Sequence, residues 1–228
     1  MLRKLVICST LPFATLCGQI TIVSQTGTTT AGILALSSVS WTQSSTYSNI
    51  RITASFFNFT PSSPGAAATG TAYLTTQIGS GTTVAQQIAS VPVSVTSTAP
   101  VTVTLFSGLT LGPGTYYLSV NPNSAVRAPD NLTWAGIFSG GGATVTTAPG
   151  VTANENTDVP STPAAYPPAS TFIGGLGRAM LYTVTGVLGL PPSAQGAPAL
   201  DNRGVLTMAL LLGASGTWLA RRARITTS

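Results

Sequence analysis

Histidine is absent from all 228 residues. Its absence removes the usual general base near neutral pH and the commonest transition-metal ligand. A Ser-His-Asp arrangement cannot be built, however many serines are present. The two cysteines are Cys8 and Cys17, both close to the N-terminus. The rest of the chain therefore offers no thiol nucleophile, no zinc thiolate and no disulfide. About 170 residues can still bury an adequate core without one. Charged residues make up only 6% of the chain. The segment from Gln19 to Gly196 has no lysine and only three acids, Asp130, Glu155 and Asp158. Glycoside hydrolysis usually needs a firmly held pair of carboxylates. Glu155 and Asp158 are three apart in a proline-flanked stretch, a poor platform for one. No glycine-rich phosphate loop opens a helix, and Gly140-Gly141-Gly142 reads as a hairpin turn. The sequence is read as non-enzymatic.

The formal net charge of +5 comes from the two ends. Arg3, Lys4, Arg203, Arg221, Arg222 and Arg224 lie there, with Asp201 as the only acid. Between them, Arg51, Arg127 and Arg178 balance the three acids. Nucleic-acid binding needs clustered Lys and Arg against phosphates, which this interior lacks.

Both ends read as targeting segments. Arg3 and Lys4 precede a modestly apolar run, 5–16, and small or polar residues follow at Cys17, Gly18 and Gln19. That is the plan of a signal peptide, helical in its apolar part and cleaved near residue 18. An acylated Cys17 is disfavoured, since Leu16 sits where lipoprotein signals need a small residue. Near the other end, residues 205–220 carry no charge. As a helix this run spans roughly 24 Å, close to the roughly 30 Å of a hydrocarbon core. The following Arg221, Arg222 and Arg224 favour the cytoplasmic side and put the bulk of the chain outside.

The last 32 residues, 197–228, resemble the IPTL-CTERM sorting domain, a relative of PEP-CTERM on exported proteins of Gram-negative bacteria. Pro198, Leu200, Gly204 and the arginines Arg221, Arg222 and Arg224 fall at the matching places. Ala197 stands where the family has a bulky aliphatic residue, and Arg203 where tryptophan is common. The resemblance implies membrane anchoring, processing by an exosortase-type enzyme and association with exopolysaccharide. It says nothing of the fold of the rest.

The interior is rich in Thr, Ser, Gly, Val and Ala, which suits strands better than helices. Period-two alternation recurs at Ile50, Ile52, Ala54 and Phe56, and at Ala72, Leu74, Thr76 and Ile78. It recurs at Val84, Gln86 and Ile88, at Val101, Val103 and Leu105, at Tyr116, Leu118 and Val120, and at Met180, Tyr182 and Val184. Turn clusters separate these runs at 61–65, 79–81 and 112–114. About nine or ten strands are expected, in an all-β antiparallel β-sandwich of jelly-roll or Greek-key type. The segment 109–118 resembles a strand pair of exported jelly-roll modules of the choice-of-anchor group. Residues 148–170, with five prolines, are expected to form a long surface loop. The domain plan is a signal peptide over 1–18, a β-sandwich over 19–186, a linker over 187–196 and a sorting tail over 197–228.

Two site expectations follow. Trp41, Tyr47 and Trp134, with Tyr117 and Tyr166, are candidates for a carbohydrate platform of flat rings; the plainer role is to fill a core. Asp130, Glu155 and Asp158, helped by neighbouring amides, are candidate calcium ligands. The expected partners are the sorting enzyme, the membrane and polysaccharide. The acceptor patterns at Asn58 and Asn131 carry no meaning in a bacterial setting.

Overall fold

The computed structural model describes residues 18–28, 31–137, 142–154, 156–159, 162–174 and 177–189. The expected signal segment up to Cys17, the residues 190–196 and the whole sorting tail lie outside them. Among the described residues no helix is long and apolar enough to cross a membrane.

Threonine, valine and isoleucine alternating with small polar residues give strands, because β-branched side chains fit a pleated, half-buried surface. Fourteen are present among the described residues: β1 (Ile20–Thr26), β2 (Ala31–Ile33), β3 (Ser37–Gln43), β4 (Tyr47–Asn58), β5 (Ala68–Thr75), β6 (Gln87–Val95), β7 (Val101–Leu111), β8 (Gly114–Pro122), β9 (Leu132–Ile137), β10 (Thr144–Thr147), β11 (Val151–Ala153), β12 (Thr157–Asp158), β13 (Ala179–Met180) and β14 (Tyr182–Leu188). They form two antiparallel sheets. Sheet A runs β10-β1-β14-β4-β9-β13, with β2 beside β9 and β7 beside β4. Sheet B runs β11-β3-β8-β5-β6, with β12 beside β3. One apolar cluster joins their inner faces: Ile22, Ile52, Phe56 and Val184 from sheet A meet Val39, Leu74, Leu118 and Val120 from sheet B. The architecture is β-sandwich-like, as the alternation predicts.

Several local expectations need correction. Val84–Gln86 is a short 3-10 turn, capped by Thr83 and Gln86 reaching back to each other's backbone. The alternation Val84, Gln86, Ile88 thus spans a turn and the start of β6. The stretch 148–170 contains β11 and β12, which pair with β3, and a second 3-10 turn at Pro167–Ala169. The 109–118 segment is no hairpin. β7 pairs with β4 in sheet A, while β8 pairs with β3 and β5 in sheet B. Gly112 and Pro113 therefore turn the chain from one sheet to the other. β14 continues to Leu188, so Val187 and Leu188 belong to the sheet.

The register defines two ends. At one, Ile20 pairs with Gly186, Leu188 with Tyr47, Tyr47 with Leu111, and Gln43 with Gly114. β1 starts and β14 ends here, side by side. At the opposite end Asn58 pairs with Leu132, Ser37 with Val120 and Ala68 with Val95.

Candidate functional site

The three aromatic residues named for a sugar platform do not form one. Trp41 on β3, Tyr47 at the start of β4 and Trp134 on β9 are 0%, 1% and 2% exposed. Trp41 sits on the inner face of sheet B by alternation, tilted against Tyr116 at 5.7 Å between ring centroids. Its Nε1 donates to Gln43 Oε1 at 3.0 Å. Trp134 packs on Phe56 at 5.8 Å and donates from Nε1 to the Leu181 carbonyl at 3.0 Å. Burial pushes the Tyr47 hydroxyl above its ordinary pKa. These rings fill the core, so they cannot lie against a ligand.

The candidate calcium ligands are not brought together. Glu155 lies outside the described residues. Asp130 closes the loop between β8 and β9 onto the end of β4. It accepts from Asn58 Nδ2 at 3.0 Å, from the Ser62 amide at 3.0 Å and from Ser62 Oγ at 2.5 Å. Those donors, Ser62 Oγ first, hold its carboxyl below the usual carboxylate range. Asp130 has φ of 55° and Arg127 of 66°, both in the left-handed region; local hydrogen bonds of this sort let Asp occupy it. Asp158 lies on β12 and is 5% exposed. Arg178 Nη1 donates to its Oδ2 at 2.7 Å. Among the described residues no three His, Cys, Asp or Glu side chains converge on a point.

The outer face of sheet B is a different kind of surface, which the tryptophans drew attention away from. Alternation from the buried Ala72, Leu74, Leu118 and Val120 puts Thr71, Tyr73, Thr75, Tyr117, Ser119 and Asn121 on it. The register aligns Tyr73 with Ser119 and Thr75 with Tyr117. Tyr73 and Tyr117 are half-buried. Tyr166, beside the Pro167–Ala169 turn, stands edge-on to Tyr73, with centroids 5.9 Å apart and planes at 81°. Its hydroxyl donates to Gln87 Oε1 at 3.1 Å. Burial, and secondarily Tyr73, raise its pKa. Thr75 and Ser119 are fully buried beneath this face, so what it presents is an uncharged patch of three half-buried tyrosines with Thr71, Gln87 and Asn121 around them. Such a patch can stack on neutral sugars and hydrogen-bond them. Tyr117 and Tyr166 stood among the sequence candidates. Tyr73 did not, although the alternation of Ala72 and Leu74 already turns it away from the core; what the sequence does not show is that it lies diagonal to Tyr117 and against Tyr166.

A groove of about 430 Å³ opens at the end away from Gly189, between residues 34–36, 121–126 and the proline-rich stretch near Pro163 and Pro167. Its lining is apolar apart from Asn121, Asn123 and Ser124, with no charged side chain. No protein-family profile matches the chain, and no curated protein matches it.

Proposed function

We propose that this chain is a non-enzymatic exported protein, held in the membrane by its C-terminal tail until an exosortase-type enzyme acts, and destined for the cell surface or extracellular matrix. The body is a jelly-roll or Greek-key sandwich between an N-terminal signal helix and a C-terminal transmembrane helix. The observation that carries the reading is where the charge lies. Arg3 and Lys4 precede one apolar run, Arg221, Arg222 and Arg224 follow another, and the three cations and three acids between them balance. Two features of the sandwich support it. β1 begins at Ile20, just after the expected cleavage site, and β14 ends at Leu188, shortly before the tail. Ile20 also pairs with Gly186, so one end of the body serves both the processed N-terminus and the tether.

The test fuses residues 197–228 to an exported reporter and replaces Arg221, Arg222 and Arg224 with Ser. The native tail should give membrane retention and a processed product. The triple variant should lose both. Identical localisation and processing of the two fusions would overturn the reading.

The tyrosine patch supports a second reading, a carbohydrate-binding module for the cell's own exopolysaccharide. Tyr73→Ala and Tyr166→Ala should each abolish retardation of the protein in gels that contain that polysaccharide. Unchanged mobility of the native protein with and without polysaccharide would remove this second reading and leave the first intact.

A further inference from the structure

The two sheets end in edge strands of different character. β6 closes sheet B and pairs only with β5 among the described residues. It carries Pro92, opposite Thr71. Proline is tolerated in an edge strand with its nitrogen turned outward, and there it blocks a further strand. β7 closes one side of sheet A. Phe56 pairs with both Val101 of β7 and Trp134 of β9, and Ala54 with both Val103 of β7 and Tyr182 of β14. A strand has two sides, so β9 and β14 flank β4 on one and β7 on the other. β7 is 11 residues long and pairs with no other strand among the described residues. Val101-Thr102-Val103-Thr104 contains no charge and no proline, and only Val103 is less than exposed.

The direction of the unpaired backbone groups follows from two bonds. The Ser55 amide donates to the Leu181 carbonyl, away from β7, and the Asn58 amide donates to the Ser97 carbonyl on the β7 side. Amide direction alternates along a strand, so Ala54 and Phe56 bond toward β7 while Thr53 and Ser55 do not. Thr104 and Thr102 stand opposite Thr53 and Ser55. Their own N–H and C=O groups therefore point outward, away from β4. The short link between Ser55 Oγ and Thr102 Oγ1, 3.3 Å, fits a closely spaced pair without backbone bonds. Past Phe106 the ladder is irregular, and Gly108 has φ of 74°.

We propose that this edge is the contact surface between two copies of the chain, which join antiparallel through β7 about a two-fold axis at Val103 and make sheet A continuous across the pair. Thr102 of one copy then exchanges both backbone bonds with Thr104 of the other, and the threonine side chains line up across the seam. Self-complementarity selects a second copy as the occupant: the same residues serve both sides, and they are uncharged. Cross-strand threonine pairs are favourable in such a ladder. The opposite edge, β10, suits this less. It has 4 residues and, through the alternating strand order, points the same way as β7, so a translated copy would pair it in the less stable parallel sense. Arg51 reaches over the outer face, donating to Thr104 Oγ1 at 2.7 Å, and does not occupy the edge.

Sedimentation velocity on the full chain in mild detergent tests this. The native chain should run as a dimer at low-micromolar concentration. Thr102→Pro takes no bond from the β4 ladder, because that N–H faces out, and should weaken dimerisation at least about 10-fold. Thr102→Lys should do the same, because edge lysines resist strand addition and the two copies' lysines would lie on a diagonal across the seam; it keeps the hypothesis testable should the proline variant fail to fold. A monomeric native chain would overturn the proposal. So would dimers that persist in a folded Thr102 variant, which would place the contact elsewhere, and so would open-ended polymers, which a two-fold contact cannot build.

Discussion

Asp130 owes its depressed pKa to three donors, Ser62 Oγ, Asn58 Nδ2 and the Ser62 amide, all satisfied only in the folded loop. The unfolded carboxyl titrates near 3.9, to a rough approximation. A folded pKa below that value stabilises the fold at pH above the unfolded pKa. The contribution is lost as pH falls through the folded pKa, because the unfolded state then binds the proton more readily. Thermal melts should therefore be insensitive to Asp130 protonation above about pH 5 and fall on the acid side of about pH 4. Asp130→Asn should melt lower at pH 7 and show a shallower acid limb. An acid limb of the same steepness in the variant would assign the acid loss to other groups. Trp134 makes a second argument at this scale. Trp134→Ala opens a void beside Phe56 and should cost about 3–5 kcal/mol in denaturant unfolding. Trp134→Phe keeps most of the packing and loses one hydrogen bond. The Leu181 carbonyl still accepts from the Ser55 amide at 3.2 Å, so the loss should be about 1 kcal/mol.

Gln43 meets four polar groups on three segments, β3, the turn after it and the β7–β8 corner, at the end where the chain enters and leaves the sandwich. Its Nε2 faces the carbonyls of Ser45, Leu111 and Gly112 at 3.0, 3.0 and 2.9 Å, and its Oε1 receives Trp41 Nε1. Tyr116 Oη also donates to the Gly112 carbonyl. The side chain thus holds the corner where β7 crosses to β8. Gln43→Leu leaves several of these buried groups without partners and should cost about 3 kcal/mol, read as a lower denaturant midpoint with unchanged slope. Gly70 on β5 tests close approach between strands. A Cβ there would lie 2.7 Å from the Asn121 backbone oxygen and 2.6 Å from Leu132 Cδ2. Gly70→Ala should therefore cost about 1–3 kcal/mol. Elements of this kind differ in how plainly the sequence announces them. β4, β5, β7, β8 and β14 have one face in the core and one less covered, so their period of two is visible. β9 is buried along its whole length and β3 at all but Thr42, so neither alternates. Ser38 and Ser40 are buried as well, on a strand that β11 and β12 flank through pairings between residues more than a hundred apart. The tyrosine patch was half legible for the same reason. Composition picked out rings and alternation turned Tyr73 and Tyr117 outward, but only the tertiary structure brings Tyr166 against Tyr73.

The topology of the molecule makes its last strand indispensable. β14 lies between β1 and β4, antiparallel to both, and brings Tyr182 and Val184 into the core at 3% and 0% exposure. Until residues 182–188 are present, β1 has no inner neighbour, and Ile22 and Ile52 meet water where Val184 should lie. Burying Tyr182 and Val184 is worth about 4 kcal/mol before any backbone bonds are counted. That is comparable with the whole stability of an ordinary domain, about 5–15 kcal/mol. Pairings as distant as Ile20 with Gly186 also close late and slowly. A chain emerging from its N-terminus therefore has no complete sheet A until residues 182–188 have been made, which fits the export proposed above. Chains 18–189 and 18–180 separate the cases. The longer should melt cooperatively and resist limited proteolysis, while the shorter should be cut rapidly and bind a hydrophobic dye. Cooperative melting of the shorter chain within a few degrees of the longer would show that the remaining strands close the sheet without β14, and the folding order argued here would fail.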